Sequence, residues 1–329
     1  MTRTAVLLCG HGSRDDDAIR ELARLAARLG ERLYPTPVDH AFLEFARPVI
    51  RDRLEALSAA GAREILAIPG MLFAAGHAKN DIPSVLGAFA RARTDTVVHY
   101  GRELAIEPKL INAAAARIEA ALKAAGGDVA RRDTLLVVVG RGTSDPDANG
   151  NVAKVARMLW EGMGFGWAEV CYSGVTAPRT EEGFARAARM GFGRIVVFPY
   201  FLFTGVLVKR IYQHADQAAA AHPGVEFIKA HYLDDHPLVV ETFADRVREI
   251  GQGLNLMNCL TCKYREQIVG YEDDVGQPQA GHHHHVEGIG TDGDHHEHDG
   301  HHDHDNHHHH NDGHNDGHRN APKRVERGD

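Results

Sequence analysis

Two histidines sit where their surroundings favour chemistry. His11 lies in Gly10-His11-Gly12-Ser13, at the end of an apolar run. Its flanking glycines let the backbone bend and leave the imidazole unobstructed. The motif lacks the length and the lysine of a phosphate-cradling loop and does not fit GxGxxG. His77 closes Pro69-Gly70-Met71-Leu72-Phe73-Ala74-Ala75-Gly76, an apolar, small-residue segment suited to one wall of a pocket for a flat, greasy ligand. Two neutral imidazoles facing one crevice suit cobalt, nickel, iron or zinc. A site with so few ligands keeps positions open and favours passing a metal on over holding it structurally. A near-neutral imidazole is also a good proton acceptor. No Ser-His-Asp order with a nucleophile elbow is present, which argues against hydrolase chemistry.

A second cluster of metal-binding types lies near the C-terminus. Cys259-x-x-Cys262 offers two thiolates, whereas zinc or a four-iron cluster wants about four ligands. Cys9 and Cys171 fall in apolar runs and read as small buried hydrophobes. Residues 282–318 hold 16 of the 24 histidines, with so little apolar content that disorder is expected. Many weak imidazole sites make a metal reservoir, without selectivity for cobalt.

The elements that must position these residues are written twice. Shifting the numbering by 130 lays Gly10-His11-Gly12-Ser13 on Gly140-Arg141-Gly142-Thr143, Pro48 on Pro178, Pro69 on Pro199, Leu72-Phe73 on Leu202-Phe203 and Lys79 on Lys209. One ungapped register over these landmarks is a tandem duplication. In the first copy strands are expected at 4–9, 38–45, 64–68 and 96–100, with helices at 16–33, 47–60, 81–92 and 108–125. In the second, strands are expected at 134–139, 168–172, 194–198 and 225–232, with a last helix at 237–250. Alternating strands and helices imply parallel sheets covered on both faces. The expected fold class is α/β: two tandem-duplicated domains, each a parallel four-stranded sheet flanked by helices, plus a disordered C-terminal tail. The boundaries are 1–128, 129–253, 254–280 for the cysteine motif and 281–329 for the tail. Ligands bind such sheets at the carboxyl ends of the strands, which puts His11 and His77 at one edge. Arg141 and Leu207 stand at the corresponding places in the second copy, so one site per chain is expected, in the cleft between the halves.

At 329 residues and 43% hydrophobic, the chain can build two cores. A formal charge of −8 argues against nucleic acid. No stretch approaches the ~20 apolar residues of a membrane helix, and the N-terminus does not fit a signal peptide; a cytoplasmic location is expected.

The GHGS turn, Ala41-Phe42-Leu43-Glu44-Phe45-Ala46-Arg47-Pro48, the Pro69–Pro83 segment, the duplication, the MNCxxC motif and the histidine-rich tail together resemble the class II tetrapyrrole chelatases. The match is to the sirohydrochlorin cobaltochelatase family CbiX in its long form. The resemblance implies ATP-independent insertion of Co²⁺ into sirohydrochlorin on the route to cobalamin. It casts His11 as base and metal ligand and His77 as second metal ligand. It sets the macrocycle against Glu44, Ala46, Arg47 and the run Met71, Leu72, Phe73, Ala74, Ala75 and Gly76. It also implies an iron–sulfur centre at Cys259 and Cys262, whose missing ligands could come from the tail or from a second subunit, hence a homodimer. Arg14, Arg47, Lys79, Lys209 and Arg210 are candidate contacts for the carboxylates of the macrocycle. The side to which Glu44 points is not fixed by sequence. A ferro- or nickel chelatase and a non-enzymatic metal store are the alternative readings.

Overall fold

The structure, a computed structural model, describes residues 3–257. The Cys259–Cys262 motif, the cluster and dimer inferred from it, and the histidine-rich tail lie outside the described residues.

The first half runs β1 (Thr4–Gly10), α1 (Asp16–Arg32), β2 (Val38–Phe42), α2 (Ile50–Ala59), β3 (Glu64–Pro69), α3 (Ile82–Ala92), β4 (Val97–Tyr100) and α4 (Pro108–Ala125). The second runs β5 (Thr134–Gly140), α5 (Pro146–Met163), β6 (Trp167–Tyr172), α6 (Thr180–Ala187), β7 (Arg194–Pro199), α7 (Val206–Ala221), β8 (Glu226–Lys229) and α8 (Pro237–Gln252). Each half is a four-stranded parallel sheet, ordered β2-β1-β3-β4 and β6-β5-β7-β8. The duplication is therefore present in the fold. Among the described residues no helix is long and apolar enough to cross a membrane.

The continuous apolar run of β1 works because both its faces are covered. Ala5, Leu7 and Cys9 face α2 and α3, while Val6 and Leu8 face the centre of the molecule. Both sheets turn one face inward, so a single apolar cluster holds Val6, Leu8 and Leu22 together with Leu136, Val138 and Phe198. Each half keeps a cluster of its own on the outer face of its sheet, and the shared cluster joins the inner faces of the two halves. Their last helices trade places: α4 packs on β7, β8 and α5, and α8 packs on β3 and α1. The exchange is reciprocal in its hydrogen bonds. Arg117 Nη2 of α4 donates to Leu233 O at 2.9 Å, and Arg246 Nη2 of α8 donates to Leu104 O at 2.6 Å.

Three expectations need correction. The strand at 38–45 stops at Phe42, because Phe45 takes a left-handed φ of 59° and turns the chain. The strand at 225–232 is shorter, and the partners Arg117/Arg246 and Leu104/Leu233 are 129 apart, so the repeat loses one residue ahead of its last strand. His77 does not hang in a loop; it opens a π-helical turn, His77–Asp81, that runs into α3.

Candidate active site

The site grows from the end of β1. Leu43 N and Glu44 N donate to Gly10 O and His11 O, each at 2.9 Å, drawing the turn after β2 against the turn after β1. Gly12 makes this possible. Its φ is 106°, and a Cβ there would stand 1.6 Å from Glu44 O, so no side chain fits. The duplicate glycine, Gly142, meets Gly174 O in the same way.

Glu44 is 1% exposed, and its Oε1 lies 2.9 Å from His11 Nε2. His11 Nδ1 lies 2.9 Å from Gly12 O. A carbonyl can only accept, so Nδ1 carries the hydrogen and Nε2 faces the carboxylate. That contact is attractive only if a proton or a metal cation lies between the two groups. His77 stands beside them, its ring centroid 4.5 Å from that of His11 in an edge-on arrangement. His77 Nδ1 pairs with Asp81 Oδ2 at 2.7 Å within the π-helical turn, which leaves the other ring nitrogen to serve as ligand. Ligand atoms of His11, Glu44 and His77 all lie within 4.8 Å of one another, a spacing that can hold a metal ion. Burial holds the His77 pKa below the usual imidazole value, and the neighbouring His11 and Arg141 add to this, against the pull of Asp81. A neutral imidazole is the form that binds metal.

The trio opens on a cavity of about 750 Å³ whose lining comes from both halves. Its volume falls in the ordinary range for a small-molecule site, roughly 300–1,000 Å³. Met71, Leu72, Phe73, Ala75, Gly76 and His77 line one side; Tyr200, Phe203, Val206 and Leu207 line another. Phe73 stacks on Tyr200, with centroids 5.8 Å apart, joining the two walls.

Not every residue expected there takes part in that wall. Ala46 and Ala74 are each 5% exposed and absent from the lining, as is Arg47, which is exposed and 3.8 Å from Asp52. Glu44 joins the imidazoles from behind the wall. Lys79 and Lys209 do not present free charges to the rim. Lys79 Nζ donates to Asp145 Oδ2 and Lys209 Nζ to Asp15 Oδ2, each at 2.6 Å, clamping the halves symmetrically. Each aspartate also caps a helix, Asp15 accepting from Asp17 N and Asp145 from Asp147 N at 3.0 Å. Arg210 donates to Ser173 O at 2.8 Å. Of the arginines, Arg14 and Arg141 line the cavity. Arg14 lies 5.1 Å from the centroid of the Phe45 ring. Confinement in the cleft lowers the pKa of Arg141, partly offset by Glu44.

Sequence reasoning missed Asp81 and Asp145. Asp81 had a legible signal, an acid four residues after a candidate ligand histidine at a helix start. Asp145 had none, because its partner comes from the other half. Elsewhere, His236 accepts from Leu238 N at the start of α8, and Cys9 and Cys171 are buried thiols pushed up to about 12.

Known proteins of similar sequence and shape agree with this architecture. The CbiX family model matches residues 5–121 and again 135–250. The chain is 34% identical over 269 residues to a sirohydrochlorin cobaltochelatase of Priestia megaterium, covering 82% of this chain and 87% of that one. It is 30% identical to a sirohydrochlorin ferrochelatase of Bacillus subtilis over 247 residues, 75% of this chain and 92% of that one. The structure of SirB from Bacillus subtilis with Fe³⁺ superimposes with a TM-score of 0.67 at 30% identity, covering 78% of this chain and all of the other (100%).

Proposed function

The chain belongs to the CbiX family of sirohydrochlorin chelatases, and on that premise we propose that it inserts Co²⁺ into sirohydrochlorin, with His11, Glu44 and His77 as the working residues. The observation that carries the reading is the buried His11–Glu44 contact, 2.9 Å long and facing His77. Insertion exchanges two pyrrole protons for one divalent ion. The same pair of groups can hold either form of positive charge, so it suits both sides of the exchange. His11 Nε2 takes the two pyrrole protons in turn, passing the first to Glu44 before taking the second, and His77, oriented by Asp81, holds the incoming ion. No nucleotide is needed, since metal–nitrogen bond formation drives the step. The apolar wall from Met71 to Gly76 carries the macrocycle face, and Arg14 and Arg141 meet its carboxylates.

Cobalt is supported by the higher identity to the cobaltochelatase relative, 34% against 30%, and by the larger share of this chain that it matches. Iron is the second reading, because a ferrochelatase is also similar and a His₂Glu set binds Fe²⁺, Co²⁺ and Ni²⁺ alike. The deciding experiment follows the absorbance of sirohydrochlorin mixed with enzyme and each metal, alone and in competition. Faster turnover of Fe²⁺ than Co²⁺ would move the assignment to the ferrochelatase. Failure to bind sirohydrochlorin at all would leave only metal storage. An iron–sulfur centre at Cys259 and Cys262 is a separate proposal, tested by iron and sulfide analysis of anaerobically purified protein.

A further inference from the structure

The duplication lets each side chain of the metal trio be compared with its twin. His11 corresponds to Arg141, Glu44 to Gly174 and His77 to Leu207. All three donors are gone from the second half, but one was replaced by a permanent positive charge. Arg141 lines the same cavity as His11 and His77. Its Nη1 donates to Gly142 O of its own loop at 3.1 Å, and no carboxylate is close enough to form an ion pair among the described residues. Glu44 and His77 both feel its charge. An arginine stays protonated in such a place.

We propose that Arg141 is a charge gate on the metal trio: it disfavours a bare divalent ion at His11, Glu44 and His77 until a carboxylate of the incoming macrocycle pairs with its guanidinium. The inference rests on the proposed function for the identity of the ligand. Like charges facing one another across a low-dielectric cleft repel more strongly than in water. A paired guanidinium presents almost no net charge, so macrocycle binding lifts the penalty. The enzyme then loads metal preferentially when an acceptor is in place. An open two-histidine site therefore avoids sequestering its own substrate ion. Arg141 is a positioning residue for charge and touches no reacting atom.

The test measures Co²⁺ affinity at the trio in the full chain without tetrapyrrole. The histidine-rich tail also binds metal, so the readout must be local. Met71 lines the cavity, and its ¹³C-methyl resonance, assigned with Met71→Leu, reports paramagnetic Co²⁺ at the trio but not at a distant site. Arg141→Met should tighten Co²⁺ at this site by about tenfold. Arg141→Lys keeps the charge and loses the planar fork, so it should leave Co²⁺ affinity near wild type while raising the KM for sirohydrochlorin. If both variants raise that KM and neither changes Co²⁺ affinity beyond twofold, Arg141 is an anchor only and the gate is refuted. If the Met71 titration shows the tenfold effect but wild-type protein does not metallate sirohydrochlorin, the repulsion by Arg141 stands, while the macrocycle as the group that opens the gate falls with the proposed function.

Discussion

The two cross-half lysine clamps are built alike but differ in burial, and Lys209 Nζ also lies 3.1 Å from Asp17 Oδ2. Lys79–Asp145 and Lys209–Asp15 have the same length, 2.6 Å, and both aspartates cap helices. The Lys79 pair is 8% exposed on both sides, whereas the Lys209 side chain is 54% exposed. Removing one member of a buried pair leaves an uncompensated charge, at a cost of about 3 kcal/mol. Lys79→Met should therefore lower Tm by roughly 6–12 °C, at about 2–4 °C per kcal/mol for a unit of this size. Lys209→Met should produce no comparable shift, because solvent already screens that pair. Much of the loss should return in Lys79→Met/Asp145→Asn, where the orphaned charge is also gone. Calorimetry of the four proteins gives the answer, with chelation assayed in parallel because Lys79 shares the π-helical turn with His77. Equal Tm losses for Lys79→Met and Lys209→Met would refute the argument from burial.

Three further outcomes follow from the same geometry. Glu44→Gln keeps the shape but not the charge facing His11, so turnover should drop about a hundredfold or more, read from sirohydrochlorin absorbance; His11→Ala should do at least as much. The folded-state pKa of His77 is depressed, so its metal-binding form persists below the usual imidazole range. The acid limb of activity due to His77 should accordingly lie below pH 6.5; the same depression means that folding loses stability as pH falls from that value through the folded pKa, because the unfolded chain takes up the proton first. Imidazole NMR of His77 alongside urea unfolding at each pH checks both signs. Arg246 is 1% exposed and donates to Glu103 O, Leu104 O and Glu107 of the first half and to Glu249 of its own helix. Arg246→Met should cost about 3 kcal/mol in urea unfolding, and a loss below 1 kcal/mol would show that the helix exchange does not depend on it.

Much of this molecule could be read from its residues. The apolar runs of β1 and β5 announce strands buried on both faces, and the glycine after each announces a turn. The repeat of Gly10-His11-Gly12 as Gly140-Arg141-Gly142 gives the duplication. Where the reading fell short, the missing facts were contacts between segments remote in sequence. An apolar stripe on α4 says that something covers it, not that the cover is the sheet of the other half. Lysines at 79 and 209 look like surface charges until the opposing helix caps are in place. Ala46 belongs to a matching segment, but packing directs it into the core.

The sequence by itself determined the strand order within the chain, the twofold repeat and the two histidines at one sheet edge, because these follow from local periodicity and from position relative to strand ends. Tertiary structure alone decided that Glu44 turns towards His11, that Asp81 orients His77 and that Arg141 faces the trio from the other half. Side-chain direction past a strand end depends on the turn that follows. Here that turn is set by the close approach of Gly12 to Glu44 O, a contact made only when the two loops meet.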